Sequence, residues 1–236
     1  MKNVFNINQK IGEIASKFPK AIDIFMSYEI DFCCGGDRSL KEALKEQKID
    51  EQEVIDKLNE CYNEFVNDNN EETDWTKSSM TNLIDYIVQK HHNFMRETLP
   101  ITNELINKIL RVHYVDNGEM LSKVSKLFNS LKLELEEHLI KEEEVLFPLI
   151  KEYEKNSSEE TKQKAITTMN ETENEHDKAG DILKEIRRVT NKYEVPETGC
   201  NSFKIAYEKM QEIESDLFNH IHLENNILFR KLKNSK

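Results

Sequence analysis

Glycine and proline are scarce, at six and four residues in a chain of 236. A sheet protein with many tight turns needs more of both, because they supply the special backbone angles and rigid corners. Cysteine is sparse too: Cys33, Cys34, Cys61 and Cys200 make no disulfide framework for a chain this long. No uninterrupted apolar run approaches the ~20 residues of a membrane-spanning helix. The N-terminus, MKNVFNINQKIGEIA, lacks the apolar segment of a signal peptide. Positive charge is in deficit, with a net charge of −12. Nucleic-acid backbones and anionic lipid surfaces call for a basic face, so neither is expected as a partner. The expectation is a soluble cytoplasmic protein.

What is present favours helices. Charged residues make up 33% of the chain and hydrophobic ones 37%, as expected when each helix buries only one stripe. Residues 1–66 read as a small domain of short helices. Ile11, Ile14, Ala15 and Phe18 repeat at helical spacing before Pro19 restarts the chain. Ile22, Phe25 and Met26 mark a second helix, which Gly35 and Gly36 break. Ser39 with Glu42 predicts a capping box, and Asp50 with Glu53 opens a helix with Val54, Ile55, Leu58, Cys61, Tyr62 and Phe65 inside. Residues 67–79 are polar and aperiodic and read as a linker, with Trp75 expected to pack back onto a domain. Residues 80–236 hold four long helical segments, near 80–114, 119–154, 159–191 and 202–232. DNG at 116–118, NSS at 156–158 and VPETG at 195–199 separate them. Pro100 and Pro148 are expected to bend or end their helices. The fold class is all-α: a small helical domain, then an up-down-up-down four-helix bundle.

The buried stripe of the second long helix runs Val124, Phe128, Leu131, Leu135, His138, Glu142, Val145, Leu149. Two titratable residues, one turn apart, interrupt an apolar face. Burying them is costly without a compensating partner. The fourth helix repeats the pattern through Ala206, Met210, Ile213, Leu217, His220, Glu224 and Ile227, and HLIKEEEVLF aligns with HIHLENNILF. The first helix adds His92 to a stripe of Ile84, Val88, Met95 and Leu99. The third adds His176 to Ile166, Met169, Ala179 and Leu183. His92 precedes His138 by 46 residues and His176 precedes His220 by 44. The chain thus reads as two copies of a helical hairpin, each giving His from one helix and His-x-x-x-Glu from the next.

Four imidazoles and two carboxylates are too many for one tetrahedral zinc. They suit two irons or manganeses bridged by Glu142 and Glu224, and the imidazole-rich set favours iron. A lone histidine on an apolar face is more often an ordinary core residue, and a lone His-x-x-x-Glu a surface pair. The fourfold repetition is what carries the metal reading. Of the other histidines, His91 neighbours a ligand and could replace or support it. His222 lies roughly 200° from His220 on a helical wheel and is expected at the surface. His113, near a helix end, reads as ordinary.

YEIDFCCGGDRSL at 28–40 joins two adjacent cysteines, two glycines and a helix start. The glycines permit backbone angles other residues avoid. A nearby helix N-terminus favours a thiolate. Cys33 and Cys34 could bind a soft metal, exchange disulfides or receive iron; the bland alternative is a turn with two small residues. Cys61 reads as core, and Cys200 sits in a loop.

These residues resemble those of the iron–sulfur cluster repair di-iron proteins, the repair of iron centres family. The resemblance rests on DFCCGGD at 31–37, HHNFMRETLP at 91–100, HLIKEEEVLFP at 138–148, ENEHDKAG at 173–180 and HIHLENNILF at 220–229. It covers nearly the whole chain. It implies an N-terminal ScdA-type domain with the vicinal cysteines, then a haemerythrin-like bundle. The implied di-iron ligands are His92, His138, Glu142, His176, His220 and Glu224, with an oxo or hydroxo bridge. It further implies a cytoplasmic homodimer, induced by nitrosative and oxidative stress, that supplies iron to apo- or damaged iron–sulfur proteins. Arg230 departs from the Pro that relatives often carry after LF; little effect is expected from it.

The expected mechanism is iron release from a centre with few histidines per iron, with Cys33 and Cys34 handing the iron on. That makes it an iron donor rather than a turnover enzyme. Two other classes compete. One is binding, sensing or reduction of nitric oxide or oxygen at the di-iron centre, marked by turnover with an electron donor. The other is a metal-free helical interaction module, marked by an absence of iron after purification.

Overall fold

A computed structural model describes residues 4–67 and 73–235. The linker read at 67–79 therefore falls partly outside the described residues. Among the described residues every regular element is helical, and one isolated bridge, Lys10 to Ser39, is the sole β contact. Two compact units divide the chain: Met1–Leu83 with Asn219–Lys236, and Ile84–Phe218.

The first unit starts with four helices, α1 (Ile11–Lys17), α2 (Ala21–Ser27), α3 (Leu40–Gln47) and α4 (Glu51–Asn67). Their starts are set locally. The Ser39 hydroxyl accepts the Glu42 N–H while the Glu42 carboxylate accepts the Ser39 N–H, completing a capping box. Asp50 Oδ1 accepts the N–H groups of Gln52 and Glu53 at the head of α4. Ile11, Ile14, Phe18, Phe25, Leu40, Leu44 and Leu58 fill the interior. Phe5 stacks on Phe18, and both meet the edge of Tyr62. Cys61 is half-buried, because the last turns of α4 are less covered than its first, and Trp75 is half-buried as well. The C-terminal segment Asn219–Lys236 completes this unit, and α1 packs on its Leu223–Leu228 turn.

Four long helical runs follow. The first is α5 (Met80–Ile87), a π turn at Val88–His92 and α6 (Asn93–Val112). The second is α7 (Tyr114–Lys141), a π turn at Glu142–Leu146 and α8 (Phe147–Asn156). The third is α9 (Glu159–Val189). The fourth is α10 (Asn201–His222), a π turn at Leu223–Leu228 and α11 (Phe229–Asn234). In the second unit α6 packs on α7, α7 on α9 and α8 on α9. Arg187 of α9 grips the buried Glu214 of α10 through two hydrogen bonds, at 3.1 and 2.8 Å.

Two boundaries differ from expectation. DNG at 116–118 separates nothing: α7 starts at Tyr114, and the break is the single residue His113, whose N–H bonds to the Ile109 carbonyl. Asn117 and Gly118 sit inside a helix because 28 residues of favourable α7 outweigh their poor propensity. α6 runs through the exposed Pro100 without ending there. Pro148 follows directly on a π turn, where the α-helical ladder is already interrupted. The other two joints fall where expected. Ser157 takes a left-handed angle and Ser158 caps α9. Residues 190–200 join α9 to α10, with Asn191, Lys192 and Tyr193 all at positive φ.

The three π turns shift the phase of their runs by one residue. In the second run the expected stripe ended in Val145 and Leu149. Val145 is exposed and Leu149 only half-buried; Leu146 and Ile150, one residue later, are buried instead. In the first run Ile87 and His92, five residues apart, are both fully buried.

Candidate metal centre

Each candidate ligand lies in or beside a π turn, or on α9 facing one. His92 ends the first π turn, Glu142 begins the second, and His138 lies one turn before it on α7. In the second unit four of the sequence-derived residues come together. Glu142 Oε2 lies 3.3 Å from His92 Nε2, and Glu142 Oε1 lies 3.2 Å from His138 Nε2 and 3.9 Å from His176 Nε2. His138 Nε2 and His176 Nε2 are 3.2 Å apart. His138, Glu142 and His176 each offer a ligand atom within 4.8 Å of the others. Glu142 and His92 are 0% exposed.

In the first unit His220 and Glu224 repeat the pair. Nε2 and Oε1 are 3.3 Å apart, and both residues are 0% exposed. The His-x-x-x-Glu spacing therefore gives the same short contact in two separate runs.

Two carboxylates not foreseen from the sequence orient these imidazoles. His92 Nδ1 lies 2.6 Å from Glu143 Oε1, which also accepts from Arg96 at 2.7 Å. His138 Nδ1 lies 2.8 Å from Glu175 Oε2, and Lys141 pairs with the same carboxylate. Burial pushes the Glu143 carboxyl upward, but hydrogen bonds from Arg96 and His92 outweigh it and leave it below the usual range. The His138 hydrogen bond, with Lys141 against the cost of burial, brings Glu175 down to about 2. Both are anions at neutral pH, so a neutral imidazole donates from Nδ1 and turns its Nε2 lone pair inward.

That arrangement tests whether a metal suits the residues. Imidazole nitrogens crowd together at 3.2 Å, and a buried carboxylate between them lacks the solvation it had in water. A divalent cation among Nε2 atoms and carboxylate oxygens relieves both, and nitrogen and oxygen donors of this kind suit iron, manganese or zinc. The residues fit such an ion. Glu175→Ala is expected to weaken metal affinity by roughly 10–100-fold without removing a ligand. Competition with a chelator measures this, and unchanged affinity would mean that Glu175 has no orienting role.

Sequence signals for these supports existed but were faint. Glu143 stands in the run of three glutamates, and Glu175 directly precedes His176. His91 has a different setting from its neighbour: its Nδ1 lies 3.0 Å from Asp216 Oδ1 and its ring meets the edge of Tyr86. His113 is buried on Phe203, with Nε2 3.2 Å from the Cys200 sulfur. The Cys200 thiol is brought down to about 7, chiefly by that histidine.

His222, expected at the surface, is 2% exposed. It points away from His220 as foreseen, but toward the Phe32 ring, with centroids 5.8 Å apart, rather than toward water. Burial holds its pKa down at about 4, so it is neutral at pH 7. Asn226, one turn on, fastens the cysteine loop. Its amide NH2 donates to the carbonyls of Phe32 and Cys33, both at 3.1 Å, and lies 3.2 Å from His222 Nδ1. Its Oδ1 accepts from Arg230, which also pairs with Asp37 at 2.9 Å. Arg230 is thus part of the fastening.

The cysteine loop departs from expectation in two ways. Neither Gly35 nor Gly36 has positive φ. They are glycines because of close approach: a Cβ on Gly36 would lie 2.3 Å from Asn226 Oδ1 and 2.8 Å from the Phe32 carbonyl. Nor does Cys33 favour the thiolate. Its hydrogen bond with Cys34 and its burial raise it well above the ordinary thiol value.

The helical fold and the buried histidine–carboxylate cluster define a cation-binding helical protein. Residues 82–232 match the haemerythrin HHE cation-binding domain, and residues 7–62 match ScdA_N, a domain of unknown function (DUF542). A Haemophilus influenzae protein named "Probable iron-sulfur cluster repair protein" is 36% identical over 230 residues, 97% of this chain and 98% of that one. Proteins named "Iron-sulfur cluster repair protein YtfE" from Escherichia coli and Shigella boydii are each 32% identical over 222 residues, 94% of this chain and 95% of theirs. The chain belongs to this family of haemerythrin-type iron–sulfur cluster repair proteins. No helix among the described residues is long and apolar enough to cross a membrane.

Proposed function

We propose that the chain is a di-iron protein that repairs iron–sulfur clusters by giving up iron to apo- or damaged-cluster proteins. In this reading it works in the cytoplasm as a homodimer, under nitrosative or oxidative stress. The observation that carries it is the buried group of His92, His138 and His176 around Glu142, in a chain whose relatives bear the repair name along nearly their whole length. His220 and Glu224 are taken as the remaining ligands, since the haemerythrin model runs through all six positions.

Iron held there supplies both an exchangeable ion and a redox couple. The protein's part is to hold and orient. Glu142 and Glu224 bring the negative charge that offsets the ions, and the histidines give neutral nitrogen donors. Glu143 and Glu175 fix the rings of His92 and His138. Four imidazoles shared between two ions make a sparse donor set, which favours release over permanent storage. Cys33 and Cys34 receive the iron on its way out.

The test is delivery. Iron-loaded protein is mixed with a cluster-depleted acceptor, and recovery of acceptor activity is followed. Wild type is expected to restore activity, and Cys33→Ala/Cys34→Ala to restore it several-fold more slowly with the iron of its histidine cluster unchanged. Equal rates would remove the cysteines from the mechanism. Catalytic consumption of nitric oxide with an electron donor, without delivery, would replace repair by gas chemistry.

A further inference from the structure

The two thiols of the DFCCGGD loop have a third donor beside them. Asp31, Cys33 and Cys34 each offer one ligand atom, all within 4.8 Å of one another. The Cys33 sulfur is 3.5 Å from Asp31 Oδ1, and the Gly35 N–H holds that same oxygen at 2.9 Å. Cys33 is buried, whereas Asp31 and Cys34 are half-buried, so the group opens to solvent on one side. All four cysteines are free thiols.

The loop around the group is fixed. Asn226 ties the carbonyls of Phe32 and Cys33. A side chain on Gly35 would press within 2.8 Å of the Asp31 carbonyl. A turn that merely needed two small residues would not require such anchoring on both sides of the sulfurs. A prearranged donor set lowers the cost of ordering the ligands when an ion binds.

We propose that Asp31, Cys33 and Cys34 form a second metal site, taking one thiophilic divalent cation such as iron(II) or zinc(II) through two sulfurs and one carboxylate oxygen. Its donors are unlike the nitrogen and oxygen donors of the buried histidine cluster. Two thiolates and a carboxylate carry three negative charges, which a softer, partly exposed cation meets well. On binding, each thiol gives its proton to solvent and each sulfur forms one metal bond; no electron is transferred. The open side leaves a coordination position for a donor or acceptor group. The inference deepens the repair reading by naming the waypoint for iron, but metal binding at the loop can be measured without any acceptor.

Cobalt(II) is the probe. Thiolate-to-cobalt charge transfer gives an absorption that nitrogen and oxygen ligands do not, so the histidine cluster contributes nothing to it. Reduced full-length protein is titrated with cobalt(II) alone and the band recorded. Wild type is expected to show one saturable equivalent, and Cys33→Ser/Cys34→Ser none. Asp31→Ala is expected to weaken binding by at least about tenfold, the usual minimum even for an indirect supporting group. Asp31→Asn keeps an acceptor for the Gly35 N–H and removes only the charge, so it separates ligation from folding; it too should bind more weakly. No band in wild type, a band that survives loss of both thiols, or unchanged affinity in Asp31→Asn would each overturn the site. A normal cobalt(II) titration with failed iron delivery would count against the repair reading alone.

Discussion

Glu142→Leu should abolish iron retention and at the same time make the metal-free protein more stable. Glu142 is fully buried, with imidazole nitrogens at 3.3, 3.2 and 3.9 Å. A carboxylate in that position is held at the expense of its hydration. Burying an ionised carboxylate is costly unless it is fully paired, and replacing whole buried ion pairs by well-packed apolar residues is neutral or gains up to about 1–4 kcal/mol. Leucine fills nearly the same space on a stripe that already holds Leu135, Leu139 and Leu146. The metal-free variant should therefore show a higher denaturant midpoint with an unchanged slope. Iron after purification should fall to less than about a tenth of wild type, since even indirect supports of a metal ligand are worth 10–100-fold. A variant that keeps its iron, or loses stability when metal-free, would place Glu142 among ordinary structural carboxylates.

Gly36→Ala should destabilise the chain by about 2–3 kcal/mol, near the upper end of the range for crowding a packed interior. Gly36 has no positive φ, so backbone strain plays no part. Alanine even gains about 0.4–1 kcal/mol by restricting the unfolded chain. Crowding wins because the new methyl would sit 2.3 Å from Asn226 Oδ1 and 2.8 Å from the Phe32 carbonyl oxygen. The first is the end of a short side chain held by hydrogen bonds, and the second is backbone. Asn226→Ala alone should cost about 1–3 kcal/mol by leaving buried carbonyls of Phe32 and Cys33 without their donor. In that background Gly36→Ala should cost at least about 1 kcal/mol less than in wild type, a coupling that a double-mutant cycle reads directly. Full additivity, or a gain in stability from Gly36→Ala, would show that the loop relaxes freely around residue 36.

The buried histidines and glutamates were legible because polar residues interrupted otherwise apolar stripes. His138 and Glu142 stood out against Leu131, Leu135 and Phe128, and His220 with Glu224 repeated the offset. The capping box at Ser39 was legible because its partners are three residues apart. The π turns were not. A π turn leaves no residue signature of its own, and its effect appears only downstream, where Leu146 and Ile150 take the buried positions that an α-helix would give to Val145 and Leu149. Glu143 and Glu175 were hidden among other acidic residues that face solvent. His222 was placed correctly on its wheel but assigned to water, because nothing local reveals that Phe32, far away in sequence, covers it. Asn226 was missed for the same reason: its partners lie at the opposite end of the chain.

That distance also sets an order of events during synthesis. Asn226 leaves the ribosome 193 residues after Cys33, whose carbonyl it will hold. Throughout that interval the sulfur-bearing turn lacks its final fastening, and a nascent or prematurely terminated chain carries it loose. The thiols reach their mature setting only once residue 226 has been made, which ties their final geometry to the synthesis of a segment far downstream.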